Sequence, residues 1–301
     1  MGNTIKLSEI DCIFISYDEP NAEKNWIDLV EKCWWAERVH GVKGSDACHK
    51  AAAEKSQTEW FVSVDGDNIV DAKFFDLEID MDKYPNANAL NWPGLNSVNG
   101  LRYGIGGLKV WNKEFVLNMK THEASADDKG QVDFCWEDGY QSMVDVYSVS
   151  HINETPFQAW RAGFREGVKM CLVNGELAKD KSLNSIFWQN AHRLKIWMSV
   201  GTDVQDGIWA MVGARHGCWK TTCSDWNHIE VRDFDCLEKI WEEVKDVDPY
   251  VSCLEYAKRL ETDLGLSVPY LDAPTSTFVK DIFEQTHKQI TAEIKWALRN
   301  V

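Results

Sequence analysis

The first 70 residues alternate short apolar runs with helical patterns, and this alternation restricts the fold more than any other feature of the chain. The apolar, β-branched runs lie at residues 11–16, 36–42 and 59–64. A helical pattern that Asn21 or Asn25 could cap follows the first run, and an alanine-rich helical pattern occupies residues 47–55. Strands that alternate with helical segments are typical of a parallel sheet with crossover helices. The sequence therefore predicts an α/β fold that opens as β-α-β-α-β.

Polar turns follow all three predicted strands, at residues 17–21, 43–46 and 65–68. The carboxyl ends of parallel strands meet at one edge of an open sheet, where ligands bind, so we expect these turns to share a rim. The third turn reads Asp65-Gly66-Asp67, with two carboxylates on either side of one small residue. Carboxylate oxygens suit Mg²⁺ and Mn²⁺, and glycine lets a ligand approach the backbone. We interpret the turn as a metal site, the alternative being an ordinary acidic turn.

Composition excludes several classes of protein. Hydrophobic residues make up 44% and charged residues 27% of the 301 residues, which excludes extensive disorder. The apolar runs are too short to span a membrane, so we expect no membrane partner. Nine cysteines without a C-x-x-C pair, and no recognisable export signal, predict reduced thiols in a cytoplasm.

The second half of the chain is predominantly helical in pattern. Loops rich in asparagine and glycine occupy residues 84–107, a polar acidic stretch covers 123–138, and a helical pattern runs over 156–173. After residue 225 the pattern is helical and acidic. We expect one domain over residues 1–225 and a helical C-terminal region over 226–301 that packs on it.

Charge bears on the partner of the protein. The net charge is −16, yet residues 161–220 carry nine Lys and Arg against five Asp and Glu, interleaved with tryptophans. A basic face with aromatic side chains is typical of nucleic-acid binding. The alternative is that the aromatic residues form core and the cations pair with the acidic C-terminal helices. The overall negative charge opposes non-specific DNA binding.

The segments ISYDEPN and VHGVKGSDACHKAAAEKSQTEWFVSVDGDN resemble the nucleotide-sugar half of GT-A fold glycosyltransferases. The chain further resembles glycosyltransferase-like proteins of T-even-like tailed phages in YDEPNAEKNW, RVHGVKG, HKAAAEK, YGIGGLKV and PFQAWRAGFREGVK. The resemblance covers roughly residues 10–215. It implies a GT-A-like, Rossmann-like fold with a mostly parallel sheet, a nucleotide-sugar-binding catalytic domain over residues 1–225, and the host cytoplasm as location if the protein is viral.

The same resemblance implies roles for the strand-end residues. Asp67 would be the principal ligand of a divalent Mn²⁺ or Mg²⁺ that bridges the diphosphate of the donor, and Asp65 would lie near the metal or the donor ribose. Such a metal stabilises the charge that develops on a diphosphate leaving group.

The donor contacts implied for the rest of the rim involve five residues. Tyr17 and Glu19 would flank the nucleotide base, and Lys43 would neutralise phosphate. Gly106 and Gly107 would form a backbone bend beside the sugar, where a side chain would collide with a substrate. The alternatives are a half-buried aromatic residue for Tyr17, a solvated helix face for Lys43 and a plain turn for the two glycines.

Two further roles follow from the resemblance. Glu137 and Asp138 match the acidic pair that supplies the base in many inverting GT-A enzymes, whereas a retaining enzyme needs no such base. His216, ahead of His151, is the expected third metal ligand, the alternative being a structural histidine.

Five residues of the basic, aromatic segment are expected to contact acceptor or phosphate: Trp160, Arg161, Arg165, Arg215 and Lys220. The sequence thus predicts a metal-dependent glycosyltransferase, hexosyl or pentosyl, with a UDP-sugar as co-substrate. The phage resemblance implies 5-hydroxymethylcytosine in double-stranded DNA as the acceptor, with the flipped base held by stacking. The alternatives are a glycan, protein or small-molecule acceptor, a nucleotidyltransferase, and a non-catalytic module that binds sugar or DNA.

Overall fold

The structure is a computed structural model that describes residues 3–104, 107–120 and 139–299. Its strands are β1 (Thr4–Lys6), β2 (Asp11–Ser16), β3 (Glu37–His40), β4 (Trp60–Asp65), β5 (Asn68–Val70), β6 (Glu78–Asp80), β7 (Ala89–Asn91), β8 (Gly94–Asn96), β9 (Arg102–Tyr103), β10 (Leu108–Asn112), β11 (Tyr140–Ser142) and β12 (Ser148–Ser150). Its helices are α1 (Ala22–Lys32), α2 (Ser45–Lys55), α3 (Lys113–Asn118), α4 (Pro156–Lys169), α5 (Trp188–Ser199), α6 (Gly207–Cys223), α7 (Phe234–Glu242), α8 (Pro249–Leu264) and α9 (Ala273–Arg299). The β-α-β-α-β opening is confirmed.

Five of the six described strands in the central sheet run in the same direction. The order is β11-β7-β10-β4-β2-β3, and β10 is antiparallel to both of its neighbours. β2 lies between β3 and β4 and pairs with both in parallel. The predicted α/β fold with a mostly parallel sheet is therefore confirmed. A smaller sheet, β5-β12-β8-β9, begins directly after the Asp65-Gly66-Asp67 turn.

Alternating side chains of the central strands fill two apolar layers, as strand geometry requires. Phe14, Val62 and Val110 face a cluster that includes α1, whereas Ile13 and Phe61 face a cluster that includes α2 and α3. The sheet is buried on both faces, so its chemistry is confined to the strand ends.

The third apolar cluster is helical and contains residues from Val98 to Val268. The predicted boundary between residues 225 and 226 falls within this cluster, because α7 and α8 pack on α4 and α6. The predicted helical character of the C-terminal region is confirmed. None of the helices in the described part of the chain is both long and apolar enough to cross a membrane.

Glycines bring α4 and α6 into close contact. A Cβ at Gly163 would lie 2.0 Å from the Ala210 carbonyl oxygen, and a Cβ at Gly167 would lie 2.3 Å from the Ala214 carbonyl oxygen. These contacts advance together along both helices, so α4 and α6 run in the same direction. α4 begins at Pro156, as the sequence predicts, and ends four residues before the predicted position 173.

Candidate functional site

The Asp65-Gly66-Asp67 turn lies at the carboxyl end of β4, beside the ends of β2 and β3. Asp65 is the last residue of the strand, and its amide donates a 2.9 Å hydrogen bond to the Gly107 carbonyl oxygen. A Cβ at Gly107 would lie 2.2 Å from the Cβ of Asp65. The glycine therefore gives the Asp65 side chain the space that it occupies.

Two further contacts fix the backbone of this turn. The Nδ2 atom of Asn25, on α1, donates a 2.9 Å bond to the Gly66 carbonyl oxygen. The amide of His151, which follows β12, donates a 2.7 Å bond to the Asp67 carbonyl oxygen. A helix and the second sheet thus both hold the turn.

Three carboxylates lie together at this strand end. The Tyr17 amide donates a 2.8 Å bond to Glu19 Oε2, and a Cβ at Gly66 would lie 2.7 Å from that same oxygen. Burial, and then the charges of Asp65 and Glu19, raise the pKa of Asp67 to about 7. Burial also raises the pKa of Glu19, to which Asp65 contributes. The carboxylates are close enough to repel one another.

The Asp67 carboxylate also accepts hydrogen bonds from two neighbours. Asn68 Nδ2 lies 2.6 Å from Oδ1, and Ser150 Oγ lies 3.4 Å from Oδ2. Both contacts favour the ionised form, but they only partly offset its burial among like charges.

The donor atoms at the turn suit a hard divalent cation. Within residues 3–104, 107–120 and 139–299, no group of three or more His, Cys, Asp and Glu side chains is arranged to hold a metal by itself. Asp65 and Asp67 would supply two oxygen ligands, and Mg²⁺ is typically bound through one or two carboxylates together with substrate phosphates and water. A cation would also relieve the repulsion that raises the pKa of Asp67.

The other predicted donor residues lie near the same rim, apart from Gly106, which is outside the described residues. Tyr17 is 40% exposed at the end of β2. Lys43 is exposed, and its Nζ lies 3.1 Å from both carboxylate oxygens of Asp235 on α7. This contact, which raises the pKa of Lys43, occupies the ammonium group expected to meet phosphate.

Arg161 and Arg165 lie along α4 and point towards α7. Arg161 Nη1 lies 3.4 Å from Asp18 Oδ2, in the turn after β2. The guanidinium groups of Arg161 and Arg165 lie 4.7 Å and 5.2 Å from the ring centroid of Phe234. Lys220 Nζ is 4.0 Å from Glu243 Oε2, in the acidic C-terminal region, as the alternative interpretation expected.

The structure does not bring His216 to the carboxylates, which corrects its expected role as a metal ligand. The imidazole is buried in the helical cluster and stacks on Tyr256 at a centroid distance of 4.6 Å. Burial lowers the pKa of His216 to about 3. At the turn, the backbone amide of His151 donates a hydrogen bond to the Asp67 carbonyl oxygen.

The expected roles of Arg215 and Trp160 as acceptor or phosphate contacts are also corrected, because both residues are fully buried and cannot reach an acceptor. Trp160 packs within the aromatic helical cluster. Arg215 donates hydrogen bonds to three backbone carbonyls, those of Met198 at 2.8 Å, Cys253 at 2.6 Å and Pro269 at 3.0 Å. Its guanidinium joins α6 to α5, to α8 and to the segment after α8. Glu137 and Asp138 lie outside the described residues, so the expected base stays a prediction.

The sequence analysis did not identify the residues whose side chains support the backbone of the turn. Asn25 was a candidate helix cap, but its buried side chain bonds to Gly66 instead. Asn21, at the cap position of α1, caps nothing through its side chain and donates to the His151 carbonyl oxygen at 2.8 Å. Apolar spacing gives no signal for such contacts, because they join residues far apart in sequence.

Neither a protein-family model nor a curated protein matches the chain. Among solved structures, it is similar to the mannosyltransferase PcManGT from Pyrobaculum calidifontis, solved in complex with GDP-Man and Mn²⁺ (13% identity, 95% of this chain and 86% of that one, TM-score 0.36). It is also similar to S. aureus TarS 1-349 (10%, 83% and 91%, TM-score 0.32) and to HddC from Yersinia pseudotuberculosis (12%, 48% and 74%, TM-score 0.25). At such low identities and TM-scores, none of these likenesses assigns a function to this chain.

Proposed function

We propose that this protein is a metal-dependent glycosyltransferase whose donor is a nucleoside-diphosphate sugar, with UDP as the nucleotide. The observation that carries the proposal is the Asp65-Gly66-Asp67 turn at the carboxyl end of a parallel strand, with the Glu19 carboxylate beside it. Two carboxylates and a diphosphate together provide the oxygen ligands that Mn²⁺ and Mg²⁺ require. The sequence resemblance to GT-A glycosyltransferases supports the same function.

The proposal assigns roles to four residues of the rim. Asp67 binds the cation, and Asp65 binds the cation or the donor ribose. A bound divalent cation stabilises the negative charge on the diphosphate as the glycosidic bond breaks. Tyr17 stacks on the base, and Gly107 leaves room for Asp65 and the sugar. In an inverting reaction, Glu137 or Asp138 takes the proton from the acceptor hydroxyl.

The acceptor is the second part of the proposal. The phage resemblance favours 5-hydroxymethylcytosine in DNA, but the burial of Trp160 and Arg215 removes two of the groups expected to contact it. The net charge of −16 further opposes DNA. A glycan, protein or small-molecule hydroxyl suits the charge of this chain better, and DNA is the acceptor to test against it.

Calorimetric titration of UDP, with and without Mn²⁺, tests the donor. We expect UDP to bind wild type only with Mn²⁺ and not to bind Asp67→Asn, because the amide is a weaker ligand and carries no charge. Asp246→Asn, at an exposed position away from the turn, should bind like wild type. Failure of UDP, GDP and CDP to bind under any condition would overturn the proposal in favour of a non-catalytic binding module.

The acceptor is tested by transfer of labelled sugar from UDP-sugars. Duplex DNA containing 5-hydroxymethylcytosine is compared with unmodified duplex, and release of free sugar reports donor turnover. Labelled modified DNA, with unmodified DNA unlabelled, would establish the DNA acceptor. Release of sugar to water without DNA labelling would exclude it and leave the other hydroxyl acceptors.

A further inference from the structure

The three residues of the Asp65-Gly66-Asp67 turn are each held by a hydrogen bond to a different part of the fold. The Asp65 amide bonds to the Gly107 carbonyl, before β10, and the Asp67 carbonyl accepts from the His151 amide, after β12. Between them, the Gly66 carbonyl accepts from the Asn25 side chain on α1. Two of these bonds are backbone to backbone, so Asn25 is the contact that a substitution can remove.

The Asn25 contact is buried and well formed. Asn25 is 1% exposed, and the distance from its Nδ2 to the Gly66 oxygen is 2.9 Å. A buried hydrogen bond of this kind has no water to replace it, so its loss leaves a carbonyl without a partner. Asn25 therefore fixes the orientation of the peptide that joins the two aspartates.

The turn needs such support because its carboxylates repel one another. Glu19 lies beside Gly66, and the charges of Asp65 and Glu19 act on Asp67. Without a cation, this repulsion favours a turn in which the two aspartates point apart. Backbone contacts that hold the turn in place lower the cost of assembling the site when a cation arrives.

We infer that Asn25 is a positioning residue of the metal–diphosphate site, whose amide orients the Gly66 peptide so that Asp65 and Asp67 face a single divalent cation. This inference rests on the proposed function, since it concerns the same site. Groups that orient metal ligands typically change metal affinity by about 10–100-fold when they are removed. We expect a loss of that size in Mn²⁺ affinity, measured by titration of Mn²⁺ in the presence of UDP.

The test compares Asn25→Leu with Asn99→Leu. Asn99, between β8 and β9, is also a fully buried asparagine, and its Oδ1 accepts a 3.1 Å hydrogen bond from the Leu101 backbone amide, outside the turn. Each variant is characterised by urea unfolding and by titration of Mn²⁺ with UDP. Asn25→Ser is the second variant in case leucine prevents folding, because serine is smaller and its hydroxyl is too short to reach Gly66.

The expected result is a large loss of Mn²⁺ affinity in Asn25→Leu or Asn25→Ser and near wild-type affinity in Asn99→Leu, at comparable losses of stability. Equal affinities in wild type and the Asn25 variants would overturn the inference and leave the proposed function intact. Parallel losses in the Asn25 and Asn99 variants would also overturn it, as the effect would then be general destabilisation. Absence of Mn²⁺–UDP binding in wild type would overturn both.

Discussion

Alanine at position 107 would place a methyl group inside the space of the Asp65 side chain. The added Cβ would lie 2.2 Å from Asp65 Cβ, 2.3 Å from Cγ and 2.4 Å from Oδ2. Carbon atoms in contact prefer a separation of about 3.5–4.0 Å. The Asp65 side chain, or the backbone that carries it, must therefore move by roughly 1 Å or more to reach an ordinary contact distance.

The backbone bond between Asp65 and Gly107 couples this movement to the Asp65-Gly66-Asp67 turn. Misplacement of a positioning group by about 1 Å can cost about 100-fold in function. We therefore expect Gly107→Ala to weaken Mn²⁺-dependent UDP binding by about 100-fold, which corresponds to about 2.7 kcal/mol. Overpacking should also lower the free energy of unfolding by about 1–3 kcal/mol.

Gly104→Ala is the matched control, three residues earlier in the chain and with the same added methyl group. Among the described residues, a Cβ at Gly104 would meet Asn91 Nδ2 alone, at 3.6 Å, which is an ordinary contact. Calorimetry of UDP with Mn²⁺ and urea unfolding should therefore give near wild-type values for Gly104→Ala. The reasoning is refuted if the two variants bind UDP equally well, since the clash with Asp65 would then have no effect on the site.

Three further substitutions test the helical region by urea unfolding. His216→Phe should remove a pH dependence of stability. In wild type, the imidazole of His216 gains a proton below about pH 6.5 in the unfolded state, but only near its folded-state pKa of about 3 in the folded protein. The free energy of unfolding therefore falls by up to about 1.4 kcal/mol per pH unit as the pH drops from about 6.5 to about 3. An unchanged slope would contradict this. Gly167→Ala should destabilise by about 1–3 kcal/mol, because its Cβ meets the Ala214 backbone; wild-type stability would contradict the close helix packing. Arg215→Lys should cost about 3 kcal/mol, because lysine cannot bond all three carbonyls in the guanidinium geometry, and should leave Mn²⁺–UDP affinity of the folded protein unchanged. Weaker UDP binding there would restore Arg215 as a phosphate contact.

The opening of the fold was predictable because its signals are local. The run at Asp11–Ser16 forms a strand with the predicted bounds, and the predicted strand at 59–64 places Asp65 and Asp67 at its carboxyl end. Periodicity and turn residues determine these elements within a short window of sequence. The shared position of the polar turns at one rim could be predicted from strand topology alone, since parallel strands end at the same edge of the sheet.

The helical half was less predictable because burial there depends on tertiary packing. The cations and tryptophans of residues 161–220 suggested a binding face, yet Trp160, Arg215 and His216 are core. An arginine that bonds backbone carbonyls and one that binds phosphate have the same local sequence pattern. Only the neighbouring helices decide between them, and α8 supplies one of the carbonyls from 38 residues away.

Anomalous scattering at the manganese edge, from crystals grown with Mn²⁺ and UDP, tests the central claim most directly. The account predicts a peak bonded to a carboxylate oxygen of Asp67, beside Asp65 and against the diphosphate. A peak at any other place in the molecule, or UDP bound at this rim without manganese at the turn, would contradict it.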